Sequence, residues 1–216
     1  MASPLRVRGG IFESNTYLCP TSMPGECILV DPGLDATPID SALAEAELRP
    51  VAVLCTHGHF DHVGSADHYQ KRFGIPVFLH RADNRTVNSA NFLMMAFKIP
   101  ARIQLPKFEF VESGHGMRVG GEDVRWLHTP GHTPGSCVLL IDGSAFTGDT
   151  LYRDGIGLVS LPGEDEASLR RSIRGLWSAI PEQTVVYPGH GGSARLGEIK
   201  RSNMPLRAFL GIETGS

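Results

Sequence analysis

The run Thr56-His57-Gly58-His59-Phe60-Asp61-His62 places three histidines and an aspartate within seven positions. Imidazole and carboxylate together suit zinc, iron, manganese or cobalt. A structural zinc site usually contains cysteine and closes all four coordination positions, so a donor set without thiolate points to catalysis. Cys55 is next in sequence, but its apolar neighbours make it a core residue. In extended chain, alternate side chains point the same way, so His57 and His59 can face one metal ion. Asp61 and His62 then turn toward a second point nearby. Four residues do not fill two coordination shells. Three later segments offer more donors: "HTPGHTPGS" (128–136) with His132, "FTGDT" (146–150) with Asp149, and "YPGHG" (187–191) with His190. Each sits in a tight turn just past an apolar run. Strand ends gathered on one edge of a sheet converge in space.

The elements that would position these donors alternate along the chain. Apolar runs at 26–33, 51–55, 75–80 and 184–191 read as strands. Residues 35–48 and 164–177 have helical spacing, and 62–74 reads as a helix closed by Gly74. Gly120-Gly121 and Asp142-Gly143 mark hairpins within 117–131 and 136–149. The first histidine cluster therefore lies beyond the carboxyl end of a buried strand, where ligands bind in α/β folds. Strand–helix alternation followed by hairpins predicts mixed sheets covered by helices.

Composition narrows the function. The chain has 216 residues, 41% of them hydrophobic, which suits one compact domain over 1–216. A formal net charge of −3 gives no electrostatic footprint for nucleic acid. No apolar run reaches the length of a membrane span, and "MASPLRVRGG" lacks a signal-peptide core. Cys19, Cys27, Cys55 and Cys137 form no CxxC pair, and they read as reduced, buried thiols of a cytoplasmic protein. Cys19 and Cys27 flank the turn "PTSMPGE", but a disulfide is not expected between them. A small-molecule substrate and, at most, a second copy of the chain in a homodimer are the expected partners. Neither nucleic acid nor membrane is.

The ordered motifs "THGHFDH", "HTPGHTPGS", "FTGDT" and "PGHG" resemble the metallo-β-lactamase superfamily through most of the chain, and within it the short, single-domain relatives of glyoxalase II (hydroxyacylglutathione hydrolase). The resemblance implies an α/β fold, a four-layer αββα sandwich of two mixed sheets with helices on the outer faces. It implies two divalent ions, zinc first, with iron or manganese as alternatives. His57, His59 and His132 would hold one ion. Asp61, His62 and His190 would hold the other, with Asp149 bridging and Asp61 also orienting the nucleophile. The implied activity is hydrolysis of a thioester. A lactonase, a mononuclear iron persulfide dioxygenase and a metal-bound interaction domain are the alternatives.

Other residues carry simpler expectations. His68 reads as a polar helix-face residue, His115 as solvated, and His80 as a strand end near the cleft rim. His128 competes with His132 from the same turn. Asp31, in "VDPG", is either an ordinary turn aspartate or a hydrogen-bond partner of a ligand histidine. Two features bear on substrate. Glyoxalase II carries a C-terminal glutathione-binding segment for which the residues after His190 are too few. It also places a basic residue after a glycine downstream of the bridging aspartate, where this chain has Leu158; Arg153 is the nearest basic alternative. The stretch 81–106, with Phe92, Leu93, Met94, Met95 and Phe97, is either a buried helix or a lid over the metals. As a lid, it would suit an acyl chain.

Overall fold

The computed structural model describes residues 3–212. Leu5–Gly9 (β1), Ser14–Pro20 (β2), Glu26–Val30 (β3), Arg49–Leu54 (β4), Val77–His80 (β5) and Phe108–Val111 (β6) form one sheet in chain order. Its first two pairings are antiparallel and its last three parallel. Gly116–Val119 (β7), Glu122–His128 (β8), Cys137–Ile141 (β9), Ser144–Gly148 (β10), Val185–Pro188 (β11) and Ala194–Arg195 (β12) form the second sheet, also in chain order. Only β10 and β11 run parallel there.

The central strands β3, β5 and β9 are almost continuously apolar because both of their faces are covered. In β3, Ile28 and Val30 face the other sheet, while Cys27 and Leu29 face outward. In β9, Cys137, Leu139 and Ile141 point inward and Val138 points out. Trp126 and Phe146 fill the middle of the inter-sheet core. Outside the first sheet lie Ala36–Glu45 (α1), Phe60–Val63 (α2), Ala66–Phe73 (α3), Asn84–Asn88 (α4) and Ala90–Ala96 (α5). Glu166–Ala179 (α6), Leu196–Ser202 (α7) and Met204–Phe209 (α8) cover the second. The result is the four-layer αββα arrangement.

Local signals explain most boundaries. Asp35 caps α1 by accepting from the Thr37 amide, and Asp165 caps α6 by accepting from Ser168. Gly74 ends α3 in the left-handed conformation. The helix expected over 62–74 is instead two helices, starting earlier at Phe60 and broken after Val63. Gly64 keeps helical dihedrals, the chain departs from them at Ser65, and only glycine fits at this junction. A Cβ on Gly64 would lie 2.7 Å from the Phe60 carbonyl and 2.8 Å from the Leu34 backbone.

The four cysteines are buried and unpaired. Cys19 stands opposite Ile28, so Cys19 and Cys27 fall on opposite faces of the sheet and cannot meet. Among the described residues no helix is long and apolar enough to cross a membrane.

Leu139→Ala should cost about 2–5 kcal/mol, because it opens a cavity between the sheets. Met23→Ala, at an exposed turn, should cost under about 0.5 kcal/mol. Denaturant unfolding of both variants checks this.

Candidate metal centre

All seven predicted donors converge on one edge of the sandwich. His57 follows β4 after two residues, His59 and Asp61 flank the start of α2, and His62 lies within that helix. His132 comes from the β8–β9 turn, Asp149 directly follows β10, and His190 follows β11. The donor atoms of His57, His59 and His132 lie within 4.8 Å of one another, as do those of Asp61, His62 and His190. Asp149 stands between the sets. Its Oδ2 is 3.4 Å from His132 Nε2 and 3.6 Å from His190 Nε2, and its Oδ1 is 3.4 Å from His62 Nε2.

Outward hydrogen bonds fix the imidazole orientations. His132 Nδ1 donates to the Gly157 carbonyl at 2.8 Å and His190 Nδ1 to the Phe12 carbonyl at 3.1 Å. His62 Nδ1 donates to Asp31 Oδ2 at 3.0 Å. His57 Nδ1 donates to Thr56 Oγ1, which donates in turn to Asp31 Oδ2. Carbonyls and carboxylates only accept, so each of these rings carries a proton on its outward Nδ1 and turns Nε2 toward the cluster. Asp31 is therefore the hydrogen-bond partner of ligand-type histidines rather than a simple turn residue. It sits at a left-handed φ of 51°, an uncommon conformation for aspartate.

Electrostatics divides the two sets. Burial holds His57 well below the usual imidazole range, and His62 and His132 add to it. Burial and the neighbouring His132 lower His59 to about 4. For His62 burial acts the same way, but Asp61, Asp149 and Asp31 outweigh it and raise the ring to about 10. Burial opposes ionisation of Asp61 and Asp149 too, but the surrounding histidines win and hold both carboxyls low. In the first set burial thus holds His57 and His59 neutral, while the second set is arranged around carboxylates.

These residues fit a pair of bound cations. The Nε2 atoms of His57 and His62 and the Oδ1 of Asp149 are buried and make no hydrogen bond. Buried polar atoms rarely go without a partner. Three such atoms aimed into one cluster of imidazole and carboxylate donors form a cavity shaped for divalent ions. Gly189 leaves space for them, since a Cβ there would collide with Asp149 Oδ1 and the His62 ring.

The remaining expectations resolve individually. His68 is partly exposed beside Asp40 and remote from the cluster. His115 is exposed and contacts the Trp126 ring edge-on. His128 stacks on His80 at 4.2 Å, with Nε2 donating to the Pro134 carbonyl, so it is not a donor to the cluster. Leu158 does not face the site: it packs against the core under α6–α8, while Gly157 and Val159 line the pocket. Arg153 lies beside Asp154 and is not a lining residue. The stretch 81–106 divides its roles. Met94 is buried core, Leu93 and Phe97 line the pocket, and Phe92 and Met95 are exposed.

Three further residues matter that sequence reading did not single out. Asp83 is buried between the two main histidine loops. It accepts from the Gly58 amide at 2.7 Å, Thr133 Oγ1 at 2.8 Å, the Gly135 amide at 2.7 Å and Thr86 Oγ1 at 3.1 Å. Asn15, in β2, donates to the Pro188 and Gly191 carbonyls and so ties the His190 loop to the first sheet. Tyr152 lines the pocket beside His190, and burial together with Asp149 pushes its phenol well above the ordinary range, so it keeps its proton.

Comparison with known proteins agrees with this geometry. Residues 10–190 match the model of the metallo-beta-lactamase superfamily, and the chain belongs to that family. The probable metallo-hydrolase YqgX of Bacillus subtilis is 30% identical over 86% of this chain and 89% of its own. The hydroxyacylglutathione hydrolase GloC of Haemophilus influenzae is 32% identical over 81% of this chain and 84% of its own. Among solved structures, TTHA1623 in a di-iron-bound form superposes with a TM-score of 0.82 at 33% identity, covering 93% of this chain and 98% of that one.

Asp149→Ala should strip most bound metal and activity while the protein stays folded. His68→Ala should do neither. Metal analysis and circular dichroism check both. Asp83→Asn turns donors toward donors, which should cost about 3 kcal/mol and weaken metal retention about 10–100-fold. Thermal melts and chelator competition measure these effects.

Proposed function

We propose that the protein is a metal-dependent hydrolase of thioesters. One observation carries the reading: a pocket of about 400 Å³ has His59, Asp61, His132, Asp149 and His190 on its floor and mainly apolar walls. Its similarity to the GloC hydrolase supports the same chemistry. His57, His59 and His132 would hold one ion and Asp61, His62 and His190 the other, with Asp149 shared. When bound, divalent ions supply Lewis acidity and a water-derived nucleophile near neutral pH.

The chain's own groups cover the rest. Asp61 lies on the pocket floor and stays ionised, so it can accept a hydrogen bond from water and aim it at the substrate carbonyl. Tyr152 keeps its phenolic proton, directed at the Asp149 carboxylate, and could turn it to oxygen or sulfur of the reacting group once Asp149 is engaged by a cation. The apolar walls exclude bulk water, which strengthens these contacts. Water oxygen bonds to the acyl carbon and the carbon–sulfur bond breaks; one water proton ends on the departing sulfur, the other passes to solvent, and carboxylate and thiol leave with no change of oxidation state. A thiolate departs without full protonation, which suits a pocket whose non-ligand acid is a single phenol.

Elemental analysis of protein purified without added metal should give two equivalents per chain, and that protein should hydrolyse thioesters without taking up oxygen. One equivalent of iron with oxygen uptake on a persulfide substrate would replace this reading with a dioxygenase. Hydrolysis confined to lactones would replace it with a lactonase.

A further inference from the structure

We infer that the acyl group this enzyme selects is apolar and several carbons long, held against three phenylalanines beside the metal cluster; this rests on the thioester reading above. Phe12, Phe60 and Phe97 come from three separate segments: the β1–β2 turn, the first residue of α2, and the residue after α5. Their rings meet edge to face, with centroids 5.4 Å apart for Phe12–Phe60, 5.9 Å for Phe12–Phe97 and 6.2 Å for Phe60–Phe97. Such contacts fix the rings as a rigid wall.

Two of the three rings serve no core. Phe60 packs into the cluster under α1–α5, but Phe12 and Phe97 belong to none of the three core clusters and remain 37% and 46% exposed. Val159, 69% exposed, continues the apolar surface with Leu161 at the same pocket. Contiguous exposed apolar surface beside a concave site marks ligand contact. The polarity is equally selective. Apart from the candidate metal donors, the only side-chain hydroxyl, amine, amide or carboxylate lining the pocket among the described residues is the Tyr152 phenol. A charged arm such as that of glutathione finds no lysine or arginine there among the described residues, and Leu158, at the position where glyoxalase II places a basic residue, packs against the core. An alkyl or aryl acyl arm finds three rings and three aliphatic side chains.

The test is a series of S-acyl-N-acetylcysteamine thioesters from acetyl to octanoyl, run beside S-lactoylglutathione on the metal-loaded protein. The specificity constant should rise with each added CH₂ by up to roughly fourfold until the pocket is filled. Phe97→Ala should flatten that slope, and Met23→Ala should leave rate and slope unchanged. Binding of non-hydrolysable S-alkyl thioethers, measured by calorimetry, should tighten with chain length in parallel. A flat profile, or preference for S-lactoylglutathione over every longer acyl group, overturns the inference and leaves thioester hydrolysis standing. Absence of turnover on every thioester overturns the hydrolase reading itself. If the thioethers nevertheless bind in order of chain length, the apolar arm survives it.

Discussion

Four imidazoles in this protein give their Nδ1 protons to acceptors outside the cluster, and the rest of the site depends on that. The Phe12 and Gly157 carbonyls, Thr56 Oγ1 and Asp31 hold the rings so that four Nε2 atoms meet in one small volume. In water those nitrogens would be hydrated and the rings free to turn. In the fold three of them are buried and the fourth half-buried, a cost that the outward hydrogen bonds offset in part and that a bound cation would offset further.

The sandwich meets this need by topology. Donors come from the ends of β4, β8, β10 and β11, on two different sheets, so neither sheet alone completes the cluster. Cross-sheet ties hold the halves in register. Asn15 and Tyr17 of the first sheet bind the Pro188 carbonyl of the second, and Asp83 joins the loop after β4 to the loop after β8. Asp83 makes these bonds from a fully enclosed position, where burial raises its carboxyl above the usual range against the pull of its donors. Hydrogen bonds in such surroundings act cooperatively, and a missing member leaves its neighbours unsatisfied.

Much of the donor set is legible in sequence, because the chemistry is concentrated in short runs. Three histidines in seven residues, and glycine-proline turns after apolar strands, are local signals. What stays hidden is set by distant contacts. Asp83, Asn15 and Tyr152 look ordinary in sequence, and only packing gives each its partners. β1, largely exposed and carrying two arginines, lacks the apolar signature of a strand. The need for glycine at position 64 comes from Leu34, thirty positions earlier, whose backbone leaves no room for a Cβ. Leu158 shows a subtler limit. Its sequence position relative to Asp149 is unremarkable, but its neighbours Gly157 and Val159 face the pocket while it faces the core. A side chain's direction at such a bend is not a property of the motif.

The β1–β2 turn does two jobs with one residue. The backbone of Phe12 accepts from His190, and its side chain forms part of the pocket wall. These belong to different parts of the amino acid, so they are separable under mutation. Any residue at position 12 offers the same carbonyl, while its side chain can vary in size and polarity. Lengthening or shortening the turn would displace the carbonyl and with it the His190 ring. Divergent copies of such a gene could therefore explore new substrates by point substitution at this turn while insertions and deletions are purged. The turn would be variable in residue type and fixed in length.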